Sequence, residues 1–95
     1  MMNIEEYADI LNIQLRVTYF PNQNGRWSAS FEGVETKLDA SSGIIDSTYG
    51  NGDSPDESIN DYVEKIRGRL LVINATGGDK RREFIVPATL YGMGE

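Results

Sequence analysis

Between Ser54 and Gly68 the chain spells out one helix from start to stop. Ser54 suits the cap, Pro55 takes the first helical position, where its missing N–H is no loss, and Glu57 stands at the capping-box position. Ile59, Tyr62, Val63 and Ile66 follow at i, i+3, i+4 and i+7, Lys65 and Arg67 fill the last turn, and Gly68 stands just beyond. A helix over about Pro55 to Arg67 with a single apolar stripe is stable only when that stripe is buried, so the rest of the chain has to provide a matching apolar face.

The segments before and after it have the period-two pattern of strands. Ile13, Leu15, Val17 and Tyr19 alternate with Gln14, Arg16 and Thr18, and Trp27, Ala29 and Phe31 alternate with Arg26, Ser28 and Ser30. Pro21-Asn22-Gln23-Asn24-Gly25 between them supplies turn chemistry, which predicts a β-hairpin. Ile44 to Tyr49 is expected as a main strand after a turn at Asp39 to Gly43, with Val34 to Leu38 either extending strand two or starting strand three. After the helix, Leu70 to Ala75 reads as a strand covered on both faces, and Thr76-Gly77-Gly78-Asp79-Lys80 turns the chain. Glu83 to Val86 returns as a strand that Pro87 places at a sheet edge. At the start, Asn3 caps a short helix to Leu11, with Ile4, Tyr7, Ala8 and Leu11 on one face. The expected fold is α+β, in the order α-β-β-β-α-β-β, with an antiparallel sheet of about five strands and two helices on one face. One domain spans residues 1–95, the N-terminal helix occupying 1–11 and a loose tail 88–95.

Composition narrows the chemistry. The chain has no cysteine and no histidine, which removes disulfides, thiolate and imidazole metal sites, thiol nucleophiles and the side chain best suited to proton transfer near neutral pH. No two carboxylates stand at a recognisable catalytic spacing, so no enzymatic activity, catalytic residue, cofactor or metal site is expected. With 15 acidic against 9 basic residues the net charge is -6, which disfavours non-specific contact with phosphate backbones. No apolar run approaches bilayer length and no signal segment precedes the domain, so a cytoplasmic location without membrane contact is expected.

Trp27-Ser28-Ala29-Ser30-Phe31 and Gly52-Asp53-Ser54-Pro55-Asp56-Glu57-Ser58-Ile59 carry a resemblance over Ile13 to Gly68. The first is similar to the second-strand segment, and the second to the glycine-to-capped-helix transition, of HicB-like antitoxins, whose small β-β-β-α fold is also described as a partial RNase H fold. The resemblance implies occlusion of a small basic toxin or nuclease, and a cysteine-free domain of this size with no self-contained active site also looks like small accessory proteins of bacteria and their phages. A Pro-Asp-x-Pro-Gly type element after strand two and a C-terminal DNA-binding motif are both missing, so it does not imply operator binding. The order α-β-β-β-α also looks like a double-stranded-RNA-binding domain, but Asp56 and Glu57 stand where that family needs lysines.

Turn chemistry and helix capping account for Asp46, Asn51, Asp53 and Asp56, whose spacing does not match a calcium loop, and turns account for Gly50-Asn51-Gly52 and Gly77-Gly78. Tyr19 and Trp27 fall in phase with the core face, whereas Phe20 is out of phase beside a turn and is the expected exposed anchor. Lys80-Arg81-Arg82, joined by Arg67 and Arg69, forms the one dense basic cluster. The candidate interaction surface is thus Phe20, Arg67, Arg69, Lys80, Arg81 and Arg82. The leading expectation is a non-enzymatic protein-binding or regulatory module whose edge strand at Glu83 to Val86 pairs with another protein or with a second copy as a homodimer, while acidic helix faces recruit a basic partner. The alternatives are single-stranded nucleic-acid binding through Phe20 and the basic hairpin, and mimicry of DNA by the acidic surface.

Overall fold

The computed structural model describes residues 2–38, 41 and 43–92. The chain runs α1 (Ile4–Leu11), β1 (Leu15–Phe20), β2 (Arg26–Phe31), β3 (Val34–Lys37), β4 (Gly50–Gly52), α2 (Pro55–Ile66), β5 (Leu70–Ile73) and β6 (Arg82–Ile85), an α+β arrangement. The strands form two antiparallel sheets of three, ordered β1-β2-β4 and β3-β5-β6. This replaces the single sheet of about five strands, and the order gains one strand before α2.

The split has a local cause. Between β2 and β3 the chain passes through Gly33 at φ +72°, a left-handed conformation that glycine adopts without strain. The turn takes β3 away from β1 and β2 and aligns it with β5, Val34 opposite Ile73 and Lys37 opposite Leu70. The expected strand at Ile44 to Tyr49 is reduced to one bridge, Asp46 with Thr36. The third strand is Val34–Lys37, and the fourth forms from Gly50–Gly52, which the sequence presents as a turn. The turn expected at Asp39 to Gly43 lies partly outside the described residues.

The glycines of β4 owe their place to packing. A Cβ on Gly50 would stand 2.1 Å from the Ser58 carbonyl oxygen and 2.4 Å from the Tyr62 nitrogen, and one on Gly52 would stand 2.6 Å from Glu57 Cβ. The β4 backbone therefore lies directly on α2, and β2 takes the strand on its other side, Trp27 opposite Gly52 and Ala29 opposite Gly50. Ile59, Tyr62, Val63 and Ile66 of α2 are buried, and the Tyr62 ring meets Phe31 of β2 edge-on at 5.4 Å. Beyond the last β4 pair, the Phe31 N–H donates to the Tyr62 hydroxyl at 3.1 Å, so the helix continues the hydrogen bonding where the strand stops.

Asn3 and Glu6 close the capping box of α1, and its face of Ile4, Tyr7, Ala8 and Leu11 is buried. Tyr7 packs against Phe31 of the first sheet and donates its hydroxyl to the Ile85 carbonyl of the second at 3.4 Å. The helices thus share one core with both sheets, to which Ala29 and Phe31 come from the first and Val34, Leu71 and Ile73 from the second. This corrects the expectation of two helices on one face of one sheet. The tail is not loose through residue 92: Leu90 is fully buried, its carbonyl accepts from Arg67 Nε at 2.7 Å, and Tyr91 bridges to Asn3. Residues 93–95 lie outside the described residues. Among those described, no helix is long and apolar enough to cross a membrane.

Two outcomes test this packing. Gly50→Ala pushes a methyl group into helix backbone and should destabilise by ~3 kcal/mol or more in urea denaturation, while Gly43→Ala, with open space around it, should change stability by less than ~0.5 kcal/mol. Tyr62→Phe strands the buried Phe31 N–H and should cost about 1–3 kcal/mol. Burial pushes the Tyr62 hydroxyl up to about 12, above its ordinary 10.0, so its contribution is complete below pH 10 and is lost as pH rises through 12. Unfolding followed between pH 9 and pH 12 should therefore be less pH-dependent in Tyr62→Phe than in the native chain.

Candidate interaction surface

The six residues singled out from the sequence do not form one surface. Phe20 ends β1 in the first sheet, while Lys80, Arg81 and Arg82 stand at the turn between β5 and β6 in the second. Arg82 lies opposite Ile73, but Arg69 precedes Leu70 at the other end of that hairpin, four residues or roughly 13 Å along the strand. Arg67 is held by Glu64 at 2.7 Å and by the Leu90 carbonyl, Arg81 by Glu83 at 2.8 Å, and the Arg82 guanidinium lies over the Phe84 ring at 5.5 Å. Only Arg69 and Lys80 extend without a side-chain partner among the described residues. The basic cluster is dispersed because strand pairing, which sequence proximity does not reveal, separates its members.

The sheet edges are more informative, since each carries backbone groups that need partners. On β4, Gly50 and Gly52 face β2, so Tyr49, Asn51 and Asp53 face outward. The side chains of α2 satisfy them in series. Glu57 accepts from the Asp53 N–H at 2.8 Å, Asp61 accepts from the Asn51 N–H at 2.8 Å, and Lys65 Nζ donates to the Tyr49 carbonyl at 2.9 Å. Four helical residues rise about 6 Å and two strand residues span about 6.6 Å, so the two periods stay in step. Desolvation pushes Asp61 up, but the Asn51 N–H and the Lys65 ammonium at 2.9 Å outweigh it and hold the carboxyl below its ordinary value.

Two further edges are blunted. On β3, Thr36 exchanges both backbone hydrogen bonds with Asp46, each at 2.8 Å. On β6 the Val86 N–H reaches the Arg69 carbonyl, which leaves Glu83 and Ile85 facing outward. Tyr7 occupies the Ile85 carbonyl, and Arg81, Arg82 and Glu83 crowd the strand with charge. Glu83 is bonded to Arg81 and then to Lys37 at 3.3 Å, which together hold its carboxyl below the usual range. The edge expected to pair at Glu83 to Val86 is thus partly closed, although Ile85 is 73% exposed.

The edge of β1 differs. The Glu32 N–H donates to the Gln14 carbonyl at 2.8 Å, which sets the phase: Gln14, Arg16, Thr18 and Phe20 face β2, while Leu15, Val17 and Tyr19 face away. Among the described residues nothing bonds these outward N–H and C=O groups. One charge, Arg16, interrupts Leu-Arg-Val-Thr-Tyr-Phe, and its 3.8 Å contact with Glu32 is solvent-exposed. Glu5, Ala8, Asp9, Ile13, Gln14 and Leu15 line a shallow cavity of about 350 Å³ beside the start of the strand. Tyr19, expected in the core, is 49% exposed and packs on Trp27 at 4.9 Å. On the outer face of the sheet, Phe20 lines a second cavity with Arg26, Ser28, Tyr49 and Asn51.

Sequence reading missed β1 as an edge because a hairpin strand has a sequence-adjacent partner on one side, and the neighbour on the other side is settled by the fold. The signal it left is a six-residue β-branched and aromatic strand with one charge and no proline. No three His, Cys, Asp or Glu side chains gather as a metal site among the described residues.

Asp61→Ala opens one position of the β4 edge and should cost about 1 kcal/mol, a value kept small by partial solvation. Because the folded-state value of Asp61 is depressed, its contribution is present above the ordinary 3.8 and is lost as pH falls through the folded value. Chemical denaturation from pH 6 down to about pH 2 should show a smaller acid loss in the variant.

No protein-family model, curated protein or solved structure matches the chain.

Proposed function

We propose that the chain is a non-enzymatic binding module that recruits a partner protein by strand addition along β1. One observation carries the reading: among the described residues the backbone groups of Leu15, Val17 and Tyr19 face outward unpaired, while the edges of β3, β4 and β6 are bonded, bridged or charged. A partner strand gains main-chain hydrogen bonds there, and alternate side chains set its identity. Glu5 and Asp9 line the cavity beside the start of β1 that a side chain of the added strand would meet. Occlusion of a small basic protein in the cytoplasm, as the resemblance to HicB-like antitoxins implies, fits this mode.

A second reading rests on the outer face of the first sheet. Phe20, Tyr49 and Arg26 border one cavity, an aromatic and cationic arrangement that suits a single-stranded nucleic acid. It relocates the nucleic-acid alternative from the basic hairpin to this face.

Affinity capture with nuclease treatment, followed by amide hydrogen exchange of the complex, separates the two. Strand addition should yield a nuclease-resistant complex in which the amides of Leu15, Val17 and Tyr19 become protected, and Val17→Pro, which deletes an outward N–H but no bond to β2, should lower recovery ~10-fold or more. A nuclease-sensitive complex with unchanged β1 amides would overturn it in favour of the outer face.

A further inference from the structure

Resting on the strand-addition reading, we infer that the strand captured by β1 is β1 of a second copy of this chain, in one antiparallel register centred on Val17. The outward residues are Leu15, Val17 and Tyr19, and they are symmetric about that centre. Antiparallel pairing about a two-fold axis at Val17 sets Leu15 against Tyr19 of the second copy, Val17 against Val17, and Tyr19 against Leu15. Every pair then has its free N–H and C=O groups turned toward each other, so all three residues of both copies are satisfied at once. A register shifted by one residue turns the free groups of one strand toward the occupied groups of the other, and a shift by two leaves one residue of each copy without a partner.

The side chains agree with this register. On the core side, the exposed flank of the Tyr19 ring is placed against Leu15 of the second copy and the mouth of the cavity that Ala8, Ile13 and Leu15 line together with Glu5, Asp9 and Gln14. On the outer side, Arg16 stands opposite Thr18 of the second copy, so no like charges face each other directly, and the two sheets continue as one of six strands. Pro21, immediately after β1, ends the pairing because it has no N–H to donate. Two chains of net charge -6 repel at long range, so association should strengthen as salt rises, the opposite of a phosphate contact.

Sedimentation equilibrium of the full chain tests the register. The native chain should show a monomer–dimer equilibrium that tightens with salt. Thr18→Lys sets an ammonium group against the Arg16 guanidinium of the other copy twice per dimer and should weaken it roughly 2- to 30-fold, and Arg16→Glu added to it makes both contacts opposite in charge and should restore it. Thr18 lies on the outer face opposite Ser28, away from the core, and circular dichroism checks that both variants fold. Amide exchange of the native chain against its own concentration is a second readout, with protection of Val17 and Tyr19 expected to grow as the chain is concentrated. A native chain that stays monomeric up to about 1 mM overturns self-pairing, and strand addition to another protein survives if the captured complex still protects the β1 amides. A dimer indifferent to both charge variants, with unprotected β1 amides, overturns the self-pairing register, while the captured complex still decides strand addition. Loss in Thr18→Lys with recovery in the double variant supports the inference.

Discussion

The contact between the β4 backbone and α2 is the constraint on which the first sheet depends. With no side chain on Gly50 or Gly52, strand and helix approach until backbone meets backbone. That closeness brings Glu57, Asp61 and Lys65 within hydrogen-bonding reach of the strand's outer groups. The helix thereby does two things: its apolar stripe buries against the sheet, and its polar flank closes the sheet's edge. β4 has only three residues, and its place comes from this contact on one side and from β2 on the other. A bulkier residue at Gly50 would hold the strand off the helix and break both.

The junction of the two sheets lies around Phe31. Its ring meets Tyr7 of α1 and Tyr62 of α2, and its N–H is bonded to the Tyr62 hydroxyl. Two residues later Gly33 redirects the chain into the second sheet. There β5 is buried along its whole length, although the core cluster takes only Leu71 and Ile73 from it. On the other face Lys37 and Glu83, from the strands on either side of β5, join above it at 3.3 Å. Lys37 is nearly buried, and its ammonium meets the Glu83 carboxylate there.

These two devices leave the molecule with an uneven set of edges. A sheet edge is costly to leave open, because unpaired groups invite any extended chain. Here side chains of α2, a bridge from Asp46, and Tyr7 with a charged strand deal with three of them. The β1 edge, longer and nearly free of charge, has none of these protections among the described residues. Its contrast with the guarded edges is the observation behind the proposed strand addition, and its outward groups repeat evenly about Val17.

The elements with strong local signals were legible in the sequence. The α2 boundaries followed from Ser54, Pro55 and Glu57 and from its four-residue stripe, the first hairpin from alternation around Pro21 to Gly25, and α1 from Asn3 and its apolar spacing. Phe20 is exposed on the face that two-residue alternation assigns it, but Tyr19, which the same alternation puts on the core face, is more exposed still, because β1 is a sheet edge. What only the tertiary structure decided were relations between segments. Gly50 and Gly52 look like turn residues until α2 lies against them, and Ile44 to Tyr49 has strand composition but finds one bonded position. The basic residues look like a cluster until pairing sets Arg69 and Arg82 at opposite ends of a hairpin. Local propensity reports how a segment bends and which face is apolar; which backbone groups remain unpaired depends on every neighbour together, and for β1 that information exists only in the folded chain.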